Sequence, residues 1–119
     1  MNLSYRRSVT DLPARVSADN FESEVLESQI PVLVDFYSDS CVPCKKIAPV
    51  LSKLETEYAE KVKIFKINTN FDTEITEKYG IEATPTLVLL NKGDEVSRLK
   101  GAVDRDDIVS LIDNIKEQI

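Results

Sequence analysis

Two cysteines, Cys41 and Cys44, stand in the stretch VDFYSDSCVPCKKIAPVL with only Val42 and Pro43 between them. The 119-residue chain holds no other cysteine and no histidine. A cysteine thiolate can serve as a nucleophile, a metal ligand or a redox centre, and those counts test each use. Structural zinc takes four Cys or His ligands and catalytic zinc three protein ligands, so two cysteines alone fall short. An iron–sulfur cluster fails on the same count unless two chains or glutathione share it. A cysteine protease would lack its base. A structural disulfide closing so small a loop constrains the unfolded chain little. Dithiol–disulfide exchange asks only for an attacking thiolate and a second thiol within bonding distance.

The flanking residues say what must position the pair. PVLVDFYS, upstream, is a nearly continuous apolar run of strand length, as expected of a central strand buried on both faces. Downstream, Ile47, Val50, Leu51, Leu54 and Tyr58 recur at helical spacing. Cys41 therefore falls at a strand-to-helix junction, where free N–H groups and partial positive charge favour thiolate over thiol. Pro43 is tolerated in a first helical turn. Pro49, inside the helical pattern, predicts a kink. Asp35 is the anomaly in the apolar run. Desolvation raises the pKa of such a carboxyl toward the range of a working base. The plainer alternative is an aspartate satisfied by backbone or by a lysine.

Helix and strand periods alternate along the rest of the chain. PARVS is a short candidate strand, and DNFESEVLES a helix with Phe21 and Val25 four apart and Asp19–Glu22 as a capping pair. KVKIFKIN reads as a strand, and NFDTEITEKYG as a short helix stopped by Gly80. TPTLVLL is a second apolar strand, NKGD a turn and EVSRLK a polar edge strand. The last segment carries Ile108, Leu111, Ile112, Ile115 and Ile119 on one helical stripe, with acids in its first turn. The sum is one α/β domain over 13–119, a mixed five-stranded sheet flanked by four helices, after a short extension at 1–12 expected to be flexible.

The formal charge of −6 argues against a nucleic-acid partner, which would need clustered Lys and Arg. No apolar run reaches the roughly 18 residues that span a bilayer. The first residues, MNLSYRRSVTDLPAR, lack the apolar core of a secretory signal. They resemble a transit peptide faintly, and a frayed or docked tail is the plainer reading. The expected compartment is the cytoplasm, where a close cysteine pair points to redox chemistry or metal.

With those residues in view, VDFYSDSCVPCKKIAPVL resembles the active-site segment of the thioredoxin family, commonly V-D-F-W-A-x-W-C-G-P-C-K-x-x-x-P. The resemblance continues through KINTNFDTEITEKYGIEATPTLVLLNKGDEV to KGAVDRDDI and covers about residues 15–119. It implies the thioredoxin fold, with Cys41 as attacking and Cys44 as resolving cysteine. It further implies Asp35 as proton acceptor for the resolving thiol and Lys66 as the lysine approaching that aspartate. Pro85 matches the family's cis-proline opposite the cysteines, with the Thr84 backbone docking substrate. Pro49 matches its kink proline, and Gly93 and Gly101 match turn and groove glycines. Val42, Thr84, Pro85 and Ala102 would line the substrate groove.

Two departures stand beside the cysteines. Ser40 and Tyr37 replace the family's tryptophans, and the chain has no Trp; Val42 replaces a glycine between the thiols. These bear on redox potential and partner choice. The function expected is reduction of protein disulfides through a mixed disulfide, by a monomer without cofactor. Its partners would be disulfide-bearing proteins and a separate recycling enzyme of the thioredoxin-reductase type, because the chain has no G-x-G-x-x-G. The alternatives are an oxidant or isomerase of the same fold, and a partner-binding module whose thiols are secondary.

Overall fold

In the computed structural model, residues 13–114 are described. The expectations for residues 1–12, and for Ile115 and Ile119 on the last stripe, lie outside them. Five strands form one sheet in the order β1-β3-β2-β4-β5: β1 Ala14–Arg15, β2 Val32–Tyr37, β3 Lys63–Asn68, β4 Thr86–Asn91 and β5 Asp94–Lys100. β1 and β2 each run parallel to β3, and β4 is antiparallel to both β2 and β5. The helices are α1 Val42–Glu57, α2 Thr73–Lys78 and α3 Arg105–Asp113. A single π-helical turn, Glu22–Leu26, precedes them.

That turn corrects one expectation. Asp19 and Glu22 do not cap it: the residue at its start is Phe21, with no side-chain cap, and the Ser17 N–H is taken up by Asn20 Oδ1 at 2.9 Å. Burial of Phe21 and Val25 fixes the segment against the sheet. The Glu27 N–H reaches back five residues to the Glu22 carbonyl at 2.9 Å, wider than the α-helical spacing of four.

Strand alternation sorts the core into two layers. From β2, Val32, Val34 and Phe36 pack with Val88 and Leu90 of β4 toward Phe21, Val25 and Ile75. Leu33, on the opposite side, packs with Ile64, Leu87 and Leu89 against Ile47, Leu51 and Leu54 of α1 and Ile108, Leu111 and Ile112 of α3. Asp35 shares the parity of Leu33, so the sheet aims it at the α1 face rather than at α2. Lys66 shares the parity of Ile64 and falls on the same side, directly opposite Asp35 in the register.

Turn chemistry closes the frame. Gly80 follows the end of α2, and its φ of 62° lets the Gly80 and Ile81 N–H groups bond back to the carbonyls of Glu77 and Thr76. Lys92 and Gly93 both take positive φ, 52° and 88°, as the two-residue loop joining β4 to β5 requires. Asp104 and Asp107 form a reciprocal capping box at the start of α3. Among the described residues no helix is long and apolar enough to cross a membrane.

Candidate active site

Strand β2 ends at Tyr37 and α1 begins at Val42, so the chain turns through residues 38–41 at the carboxyl edge of the central strand. Cys41 is the N-cap of α1, with extended backbone (φ −85°, ψ 109°) and Pro43 in the first turn. Its Sγ accepts a hydrogen bond from the Cys44 N–H at 3.1 Å. The sulfur thus occupies the place a capping oxygen normally fills, among N–H groups with no helical partner. Negative charge developing on Cys41 would be stabilised there by those donors and by the helix dipole. Cys41 and Cys44 are joined as a disulfide, their Cα atoms 5.3 Å apart, and both are buried. Val42, between them, is 60% exposed and stands out from the surface beside the sulfurs.

Beneath the pair lies a cavity of about 200 Å³. Asp35, Cys44 and Lys66 all line it, with Tyr37, Lys45 and Ala48 among the remaining walls. Asp35 is 4% exposed, and its Oδ1 has no hydrogen-bond partner among the described residues. Burial pushes the Asp35 carboxyl up to about 7, against the opposing pull of the Lys66 charge. A carboxyl with that affinity for protons can take one from a thiol near neutral pH and give it back. The cavity has room for water to carry the proton between Cys44 and Asp35. Lys66 does not pair with Asp35 by a direct ion pair; its Nζ lies 5.8 Å from the centre of the Tyr37 ring.

The third piece is the approach to β4. The Thr84–Pro85 bond is cis, Pro85 is buried, and the Pro85 carbonyl accepts from the Gly101 N–H at 2.8 Å. Ala102, next along, is exposed. The Thr84 hydroxyl lies 3.1 Å from that of Ser38, three residues before Cys41. The sequence-predicted residues therefore fall in three connected places. Cys41, Val42, Pro43 and Cys44 sit on the helix start, Asp35 and Lys66 in the cavity beneath, and Thr84, Pro85 and Ala102 along the β4 entry.

Sequence reading missed the residues that tie these together. Ser38 joins the cysteine loop to Thr84. Asn68 donates from Nδ2 to Asp39 Oδ1 at 3.0 Å, while Asn70 Oδ1 accepts from the Asp39 N–H at 3.3 Å. The available signal was the pair of asparagines in INTN, at the end of a strand running beside β2.

A disulfide at a helix start, over a buried carboxyl and beside a cis-proline, is an arrangement with known kin. The thioredoxin family model matches residues 13–114. The chain belongs to the thioredoxin family. It is 39% identical over 100 residues to thioredoxin 1 of Synechococcus elongatus, covering 84% of this chain and 94% of that one. Thioredoxin C-2 of Corynebacterium nephridii is 42% identical over 95 residues, 80% of this chain and 88% of its own. A chloroplastic M-type thioredoxin of Chlamydomonas reinhardtii is 39% identical over 98 residues, 82% and 70%. With its Cys41–Cys44 disulfide, this thioredoxin is a protein thiol–disulfide oxidoreductase.

Proposed function

We propose that the protein works as a cytoplasmic protein-disulfide reductase, acting as a monomer, with Cys41 as nucleophile, Cys44 as resolving thiol and Asp35 as proton acceptor. The observation that carries the reading is that Cys44 and Asp35 line one cavity directly behind the helix-capping Cys41. In the first step Cys41 thiolate attacks one sulfur of the target disulfide. An S–S bond forms between Cys41 and the target, and the target's other sulfur leaves as thiolate and takes up a proton. Cys44 then gives its proton to Asp35, and its thiolate attacks Cys41 Sγ. The mixed disulfide breaks, the second target thiolate leaves, and Cys41–Cys44 is oxidised. Two electrons pass from this dithiol to the target.

The target chain runs past Val42, Thr84, Pro85 and Ala102, with main-chain hydrogen bonding at Thr84 as in strand addition. Lys66 holds a positive charge over the cavity and limits the rise of the Asp35 pKa. Return to the dithiol falls to a separate reductase of the thioredoxin-reductase type, since three glycines and no G-x-G-x-x-G leave no dinucleotide fingerprint in this chain.

Cys41→Ser abolishes disulfide reduction, and Cys44→Ser stops at the mixed disulfide, visible as a covalent adduct by mass spectrometry. Full activity in Cys41→Ser overturns the reading. Direction is tested by the equilibrium potential of the pair: about −270 mV supports a reductase, and about −120 to −180 mV an oxidant or isomerase.

A further inference from the structure

Next to Thr84, on the side away from α1, is a second pocket of about 310 Å³. Its polar lining is Ser38, Thr69, Thr76, Glu82 and Thr84, and no lysine or arginine lines it. Ser38 belongs to the walls of this pocket and of the cavity over Asp35, and its carbonyl accepts from the Cys41 N–H at 3.3 Å. The pocket therefore begins one hydrogen bond from the attacking cysteine. A residue flanking the target's own cysteine falls within its reach.

The chemistry it offers follows from where its hydroxyl protons go. A hydroxyl has one proton to donate and two lone pairs to accept with. The Thr69 hydroxyl donates to the Tyr37 carbonyl at 3.1 Å, and the Thr76 hydroxyl to the Asp72 carbonyl at 2.8 Å. The Ser38–Thr84 contact consumes one more proton, whichever oxygen donates. Three of the four hydroxyl protons are spent inside the protein, so the hydroxyls that line the pocket offer mainly acceptor capacity. Glu82, exposed on the same lining, adds a carboxylate. Acceptors and negative charge without a cation complement a side chain that only donates and is positively charged. Lysine and arginine are those side chains.

We infer that this pocket is a specificity site for a lysine or arginine flanking the target disulfide. The inference rests on the reductase reading and names a substrate preference within it. The chain's formal charge of −6 steers basic targets from a distance, and the pocket reads them at contact.

The test uses two oxidised peptides, each closed by one internal disulfide and identical except at the residues adjoining one cysteine, Arg in one and Glu in the other. The ratio of their kcat/KM values is read within each protein, so changes in overall activity cancel. In the wild type at low salt the Arg peptide is preferred about tenfold, and roughly 1 M salt shrinks the preference. Glu82→Lys brings the ratio within about twofold of unity. Glu60→Lys makes the same charge change beyond the far end of α1 and keeps most of the preference, which separates pocket recognition from net charge. A wild-type ratio within twofold, or an unchanged ratio in Glu82→Lys, overturns the inference. Hydroxyethyl disulfide, small and uncharged, keeps the two readings apart. If it is reduced while the peptides are not discriminated, only the specificity site falls. If no disulfide is reduced, both readings fall.

Discussion

Asp35 and Lys66 face one another across the parallel register of β2 and β3, yet the buried Asp35 Oδ1 has no hydrogen-bond partner among the described residues and the Lys66 ammonium lies over Tyr37. A buried ion pair closed by direct hydrogen bonds would hold the carboxyl in its charged form. Held apart, the two charges still attract, but desolvation outweighs the attraction and the carboxyl rises to about 7. The cost of charging Asp35 in the folded protein is the same quantity that suits it to exchange protons near neutrality.

That cost has a pH signature. Between 3.8, the ordinary value, and about 7, the folded protein keeps the Asp35 proton and the unfolded chain has lost it. Stability from this group therefore falls as pH rises through that window and is level above it. At 1.36 kcal/mol per pH unit the loss totals about 4 kcal/mol. Asp35→Asn removes the penalty. Its urea midpoint exceeds that of the oxidised wild type at pH 8, and the gap closes toward pH 4. On the proposed mechanism, in which Asp35 takes the Cys44 proton, the same variant slows reductive turnover at pH 7 by about 100-fold or more. A gap that stays constant with pH would show that the carboxyl titrates at its ordinary value.

Lys66→Met tests the opposing charge. Lys66 lowers the Asp35 value, so removing the cation lets it rise above about 7. The pH at which stability stops falling moves upward. The variant is then less stable than wild type at pH 8 through this effect and unaffected by it at pH 4. Urea titration of the oxidised protein across pH 4–9 reads the shift. An unmoved inflection would mean that the distance over Tyr37 screens the lysine from the carboxyl.

Which of these features the sequence revealed follows from how local their causes are. The cysteine pair, the apolar strand and Asp35 inside it are neighbours in the chain, and strand alternation alone turns Asp35 to the α1 side. Gly80 and the turn at Gly93 were legible because glycine takes positive φ at little cost. Asp19 and Glu22 misled, since their three-residue spacing fits a capping box while Phe21, buried against Tyr79 with ring centroids 5.8 Å apart, decides where the turn begins. Ser38 and Thr84 meet across 46 residues of sequence and Asp39 and Asn68 across 29, distances at which side-chain type carries no pairing signal. The thioredoxin motif located the site, and tertiary hydrogen bonds gave it its particular rim.

Asn68 provides the sharpest test of that rim. It is buried, its Oδ1 accepts from the Asn70 N–H at 2.8 Å, and its Nδ2 donates to Asp39 at 3.0 Å. One amide side chain thus holds both the loop before Cys41 and the loop after β3. Asn68→Asp conserves shape and the bond from Asn70, but replaces a donor by a carboxylate facing another carboxylate. Near neutral pH the loss of a charge-assisted hydrogen bond and the new repulsion destabilise the fold by about 2–4 kcal/mol. In acid, protonation of the introduced carboxyl restores a donor toward Asp39, so the deficit narrows as pH falls. Urea midpoints of variant and wild type at pH 4.5 and 7.5 measure this narrowing. A deficit independent of pH would mean that Asn68 acts through packing and that the Asp39 contact adds nothing to the loop's position.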